Sequence, residues 1–322
     1  MSSLSEAREI IARAQRVLIV SHWMPDGDTL GAALGLAWAL RKRGIGARLS
    51  CADPVPSEFR FLPGSDAYTA RRKSDEQAIL VIDCSDLERI GSIYVAQDFA
   101  TVPVVNIDHH VTNVLFGDVN LVAERGATAE LILDLITYLG LPLDATMAKC
   151  LLTGIVTDTI GFRTSNTTAD SLRAAITLVE AGASLAEIMD AVFNHRPLAM
   201  LRLWGVALAN AQHEKDILWV EVSQGLLRRV NADAGAARGL PNLLATFEGP
   251  LASVVLRELE DGGVEVSMRS TSDLDVAAVA VALGGGGHAR AAGCLLRGSL
   301  PEVRERVLAA IRQAIEKRDS SS

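Results

Sequence analysis

Aromatic residues are scarce. Phe, Trp and Tyr make up 4% of the 322 residues, so the core has to be built from Ala, Val, Leu and Ile. Cysteine is scarce too. Cys51, Cys84, Cys150 and Cys294 form no C-x-x-C pair, which argues against a zinc knuckle or a disulfide framework and leaves them as small buried hydrophobes. No apolar run approaches the ~18 residues needed to span a bilayer. The best candidate, Leu30 to Leu40, is too short and follows a cluster of carboxylates. The opening MSSLSEAREI carries acidic residues and no long apolar stretch, so no signal peptide and no membrane partner are expected, and the chain reads as cytoplasmic. An excess of Lys and Arg is also missing. The net charge of −8 argues against a grip on long duplex DNA; any nucleic acid has to be held in short pieces through local contacts.

What is present is a chain long enough for two domains, with 49% hydrophobic and 22% charged residues, as in globular proteins. Arg16 to Ser21, Ala47 to Ala52, Ala78 to Asp83 and Val102 to Ile107 read as strands, with helical patterns between most of them. That alternation predicts an α/β fold: an N-terminal, mostly parallel sheet flanked by helices over residues 1–195. Leu30 to Arg41 and most of Ala127 to Thr157 are expected to be helical, the latter interrupted near Gly140. A linker helix is expected over 196–215. A smaller C-terminal α/β domain is expected over 216–322, with strands in ILWVEV, Ala252 to Leu259 and Val264 to Met268 and helices at Val276 to Ala282 and Glu302 to Ile315.

Four clusters carry chemistry. His22-Trp-Met-Pro-Asp26-Gly-Asp28 places two carboxylates just after a strand-end His, which is costly without a cation because like charges raise each other's pKa. The plainer alternative makes Asp28 a helix cap and Asp26 a turn residue. Asp83-Cys-Ser-Asp86 and Asp108-His109-His110 follow two further strands, in the place where open α/β sheets bind ligands. Adjacent side chains diverge, so only one of the two His is expected at any one metal. Asp158 lies in the otherwise apolar LLTGIVTDTIGF, where an ionised carboxylate needs a partner. Oxygen and imidazole ligands without thiolate suit Mn²⁺ or Mg²⁺. A fifth feature is Gly284-Gly285-Gly286-Gly287-His288, whose backbone can approach a phosphate closely, with Arg269 in VSMRS as a second phosphate contact. A flexible loop or a helix cap is the alternative there.

HWMPDGD, VIDCSD, DHH and TGIVTDT, in that order, resemble the four motifs of the DHH phosphoesterase superfamily, to which RecJ also belongs. VSMRS and GGGGHARAAG resemble its associated C-terminal substrate-binding domain, and the two-domain length is similar to the bacterial nanoRNase (oligoribonuclease)/pAp phosphatase group. The resemblance implies two divalent metal ions, Mn²⁺ ahead of Mg²⁺. It implies that His22 and Asp26 bind the first, that Asp28, His109 and Asp158 bind the second, and that Asp83 bridges both. It implies that His110 lies beside the scissile phosphate, with Asp108 orienting its neighbours. Arg163, Ser165 and Thr167 then face the substrate, and Arg269, Gly284 to Gly287 and His288 hold the nucleotide's far phosphate. The substrates implied are short single-stranded RNA, which is cut to mononucleotides, and 3′-phosphoadenosine 5′-phosphate (pAp), clamped between the two domains; a homodimer is also implied. A phosphodiesterase for cyclic dinucleotides or pApA is the neighbouring alternative. A nucleotide-binding regulator with incidental hydrolysis is the alternative of another class.

Overall fold

The β-branched runs pair as their periodicity suggests. The computed structural model describes residues 3–194, 197–271 and 273–321, and the chain divides into two compact units, Met1–His195 and Arg196–Ser322.

In the first unit the order is α1 (Ser3–Arg13), β1 (Arg16–Ser21), α2 (Gly27–Lys42), β2 (Gly46–Ser50), β3 (Ala78–Ile82), α3 (Ala96–Phe99), β4 (Val104–Asp108), β5 (Val119–Val122), α4 (Thr128–Tyr138), α5 (Ala145–Asp158), α6 (Ala169–Glu180) and α7 (Leu185–Phe193). The strands form one all-parallel sheet in the order β2-β1-β3-β4-β5. The order reverses between β1 and β3, so the crevice at which such sheets bind ligands lies beyond the carboxyl ends of these two strands. His22 and Asp83 are the residues that follow them.

Helix α2 explains how the crevice is floored. It is apolar nearly all round and buried along most of its length, as expected of a helix at the centre of a layer. It packs against α5 through glycines. A Cβ on Gly154 would lie 2.7 Å from both Ala129 Cβ and Asp28 Oδ1, and one on Gly31 would lie 2.9 Å from Gly154 N. The close approach brings the start of α2, with Asp28, up to α5, whose last residue is Asp158.

The second unit contains α8 (Leu198–Ala209), β6 (Gln212–Glu214), β7 (Ile217–Val222), α9 (Gln224–Val230), α10 (Leu240–Leu244), β8 (Ala252–Glu258), β9 (Gly263–Ser270), α11 (Val276–Ala282), β10 (Gly286–His288), β11 (Ala291–Arg297) and α12 (Leu300–Ser321). Its mixed sheet has the order β10-β11-β9-β8-β7-β6, with β7 and β8 parallel and the other pairs antiparallel. The helix expected over 196–215 is shorter. Arg196 lies outside the described residues, α8 ends at Ala209, and Gln212 to Glu214 form an edge strand instead. The apolar stripe on α8 is partly accounted for: Leu203 and Ala207 are buried with Val220, Val222 and Leu227 of the same unit. Among the described residues no helix is long and apolar enough to cross a membrane. All four cysteines are free and buried.

Candidate metal centre

Each loop that leaves β1, β3 and β4 delivers part of one cluster. After β1, His22 is buried, and its Nδ1 donates to Trp23 O at 2.8 Å. That bond orients the ring and makes Nε2 the nitrogen that would give up its proton to a cation. Nε2 stands 3.7 Å from Asp26 Oδ1 and 3.6 Å from Asp83 Oδ2, too far for hydrogen bonds, and is a buried nitrogen without a partner among the described residues. After β4, His109 repeats the arrangement. Its Nδ1 donates to Arg125 O at 3.0 Å, and Nε2 lies 3.7 Å from Asp83 Oδ1 and 3.6 Å from Asp158 Oδ2.

Asp83 therefore sits in the middle, one oxygen turned to each imidazole. It is held there with a backbone φ of 62°, a left-handed conformation that a non-glycine residue rarely adopts. Ligand atoms of His22, Asp26 and Asp83 lie within 4.8 Å of one another, as do those of Asp28, Asp83 and His109. His110 belongs to a different grouping. Its Nδ1 bonds Asp108 Oδ1 at 2.7 Å and is 3.6 Å from Asp83 Oδ1. The two neighbouring imidazoles thus bond different groups through Nδ1, Arg125 O and Asp108, while both approach Asp83 Oδ1.

Both carboxylates of the first motif also cap helices, though not as the plainer reading assigned them. Asp26, not Asp28, caps α2, with Oδ1 accepting from Asp28 N at 3.0 Å and Thr29 N at 3.1 Å. Asp28 caps a different helix. Its Oδ2 accepts from Thr128 N at 2.6 Å and its Oδ1 from Ala129 N at 3.0 Å, both at the start of α4. The cap of the segment after the second motif comes from Asp86, which accepts from Arg89 N at 3.0 Å.

These groups perturb one another strongly. Burial alone would lower His22, but Asp26 and Asp83 outweigh it and push its pKa up to about 10. Burial likewise opposes protonation of His109, and Asp158, Asp83 and Asp28 push it up to about 10. For Asp83, burial acts upward, yet the surrounding imidazoles, led by His22, hold it well below the usual carboxylate range. Burial and then the charges of Asp83 and Asp158 push Asp28 well up. Burial, with Asp83 and Asp26, raises Asp158 to about 6.

The donor set fits a divalent cation. It offers carboxylate oxygens and imidazole nitrogens with no thiolate, a buried Nε2 without a partner, and carboxylates whose mutual repulsion a cation would relieve.

Several residues at the cluster were not legible beforehand. Thr128 Oγ1 donates to Asp83 Oδ1 at 2.8 Å. Asn113 Nδ2 donates to Asp108 Oδ2 at 2.5 Å and to Cys84 O at 3.0 Å. In the loop after the fourth motif, Asn166 makes the contact to Asp158, at 3.4 Å. Of the residues expected to face substrate there, Arg163 turns its Nε to Ile160 O at 2.9 Å, Ser165 is exposed, and the Thr167 hydroxyl lies 3.4 Å from that of Thr164.

In the second unit, Arg269 is on β9, with Nε donating to Asn242 Oδ1 at 2.7 Å and one terminal nitrogen to Met268 O at 2.9 Å. Burial lowers its pKa to about 10, still cationic near neutrality. The glycine run is no simple loop. Gly284 (φ 86°) and Gly285 close α11 with N–H bonds to Val281 O and Ala280 O, while Gly286, Gly287 and His288 form β10, paired with β11. A side chain on Gly287 would collide with β11, its Cβ 2.6 Å from Ala291 O.

Similarity to known proteins follows the same division. The family model for the N-terminal domain of the DHH family matches residues 16–155, and that for the DHHA1 domain matches residues 221–317. Over 306 residues the chain is 37% identical to the bifunctional oligoribonuclease and PAP phosphatase NrnA of Thermus thermophilus, covering 93% of this chain and 90% of that protein. The chain belongs to the DHH family. This DHH protein is also 29% identical over 312 residues to the cyclic-di-AMP phosphodiesterase GdpP of Geobacillus thermodenitrificans, with 87% of this chain covered but 44% of that longer one. Its fold matches the crystal structure of an exopolyphosphatase-related protein from Bacteroides fragilis with a TM-score of 0.85 at 24% identity, covering 98% and 96% of the two chains.

Proposed function

We propose that this DHH protein is a phosphoesterase that hydrolyses short oligoribonucleotides to mononucleotides and pAp to AMP. The observation that carries the reading is the Asp83 carboxylate, one oxygen facing His22 and the other His109. The 37% identity to a relative whose name states both activities supports the choice of substrates.

Two divalent cations belong to this reading, Mn²⁺ ahead of Mg²⁺. His22 and Asp26 would hold the first, Asp28, His109 and Asp158 would hold the second, and Asp83 would serve both. Such a pair, when bound, supplies an activated water and stabilises charge on the leaving oxygen of a phosphate ester. The protein's own groups do the rest. Asp108 holds His110 by Nδ1, so His110 serves as proton donor to the leaving oxygen from Nε2. Arg163, Ser165 and Thr167 contact the substrate. Arg269, aligned by Asn242, holds the nucleotide's remaining phosphate together with the Gly284 to Gly287 backbone and His288. With a net charge of −8 and these local cations, short substrates are favoured over long ones.

Phosphate and mononucleotide release in Mn²⁺ from pAp, two- to five-residue RNA, pApA and cyclic di-AMP tests the reading, with Asp158→Ala as the control. Turnover of pAp and short RNA that the variant loses supports it. Selective cleavage of cyclic di-AMP or pApA would replace it with the activity that the likeness to GdpP favours. Ligand binding without turnover of any of them would favour a regulator.

A further inference from the structure

The turn between β5 and α4, with the first two residues of α4, supplies none of the six side chains assigned above to cations, yet it contacts three of them directly and a fourth through Asn166. Arg125 O accepts the Nδ1 proton of His109 at 3.0 Å and so leaves Nε2 facing Asp83 and Asp158. The N–H groups of Thr128 and Ala129 donate to the two oxygens of Asp28 at 2.6 Å and 3.0 Å. The Thr128 hydroxyl donates to Asp83 Oδ1 at 2.8 Å, the oxygen on the His109 side. Gly126 O accepts from Asn166 Nδ2 at 3.0 Å, and the same nitrogen lies 3.4 Å from Asp158 Oδ2. The contacts are one-sided. His22 is held by Trp23 O, and Asp26 by the N–H groups of Asp28 and Thr29, none of them in this turn.

We propose that residues 125–129 are the positioning element of the second cation site alone, with Thr128 as the residue that fixes the shared carboxylate toward it; this rests on the two-cation reading above. Asp28, Asp83 and Asp158 repel one another when ionised. The first N–H groups of α4 are free of intrahelical partners and stabilise the Asp28 anion, while the Thr128 hydroxyl does the same for Asp83 on one oxygen only. The turn thereby gathers three carboxylates and one imidazole of fixed orientation, and orders them before a cation arrives. Its own course is tightly fixed, because a Cβ on Gly126 would lie 2.5 Å from Ser171 Oγ and 2.6 Å from Glu130 Oε1. Thr128 is fully buried, so its hydroxyl has no solvent alternative to this bond.

The experiment is a Mn²⁺ titration of the full-length protein by calorimetry and electron paramagnetic resonance, on the wild type, Thr128→Val and Thr128→Ser. Loss of such an outer hydrogen bond typically weakens a metal about 10–100-fold. Thr128→Val, which keeps the shape and loses the hydroxyl, is expected to weaken one of two sites by about that factor, and Thr128→Ser to restore it. The sites are told apart by background. Combined with His22→Ala, Thr128→Val should weaken the remaining site; combined with Asp158→Ala, it should not. Asn166→Ala, half-buried in the loop after α5, is the second probe should Thr128→Val fail to melt as a folded protein, and should weaken the same site. Two wild-type sites that Thr128→Val leaves unchanged, or weakens equally, overturn the proposal. Fewer than two sites in the wild type overturn the two-cation reading itself.

Discussion

Cation binding to this protein should release protons, and the number can be worked from the site. Without a cation, His22 and His109 each face carboxylates that push their pKa up to about 10 despite burial. At pH 7.5 both imidazoles are then almost wholly protonated. A protonated Nε2 cannot ligate, so on the two-cation proposal at least two protons should leave when both sites fill, and the Asp28 carboxyl, also pushed up, adds to them. The overall affinity for the cation pair should therefore fall at least about 100-fold for each unit of pH lowered in this range. Below pH 6 the fall steepens, because Asp158 at about 6 then carries a proton as well. Calorimetric titration with MnCl2 at pH 7.5, in buffers of different ionisation enthalpy, reads the number directly. Two or more protons per protein is the expected result. A value near zero would mean neutral imidazoles in the cation-free protein and would refute the account of how the carboxylates act on them. The same shifts set the stability of the cation-free fold. A pKa raised on folding gives stability that is complete below the unfolded value, 6.5 for His, and is lost as pH rises through about 10. Melting of the chelator-treated protein should decline across that window.

Three further outcomes follow from particular contacts. Asn113→Ala frees Asp108, which holds His110; kcat on short RNA should fall about 10–100-fold with KM little changed, and an ester with a good leaving group such as p-nitrophenolate should lose much less. Asn242→Ala releases the Arg269 guanidinium, so KM for pAp should rise about 10-fold at constant kcat, measured by steady-state phosphate release. Gly154→Ala forces a methyl against Asp28 and Ala129; a loss of about 1–3 kcal/mol in urea unfolding is expected, together with weaker Mn²⁺ binding.

Apolar, β-branched composition was enough for the central parallel strands, because β1, β3 and β4 are short apolar runs buried on both faces. Strand β5, VNLV, escaped notice because four residues with two half-buried positions carry little signal. The α8 region was read too long, since an apolar stripe marks burial but not the point where a helix gives way to an edge strand. At the site, residue types with ligand chemistry announced themselves, as His22, Asp83 and His109 did at strand ends. The groups that orient them did not. Thr128 and Asn166 look like ordinary cap and loop residues, Asn113 lies three residues past a conspicuous His pair, and the Arg125 contribution is a backbone carbonyl that any side chain could accompany. The exchange of caps, with Asp28 serving α4 rather than its own helix, is a tertiary contact a hundred residues away in sequence and has no local pattern.

That exchange bears on how degenerate relatives should be interpreted. Asp28 and Asp26 each anchor the start of a helix as well as facing the cluster, so a lineage that had abandoned hydrolysis would still be under selection to keep both. Their survival in a divergent homologue records an intact scaffold, not a working enzyme. Asp158 makes no cap; its neighbours are His109, the Asn166 amide and other carboxylates, and burial with those carboxylates pushes its pKa up to about 6, so its retention tracks the proposed ligand role more closely than the scaffold. Its replacement is the earlier and cleaner sign that a member of this lineage has become a pseudoenzyme.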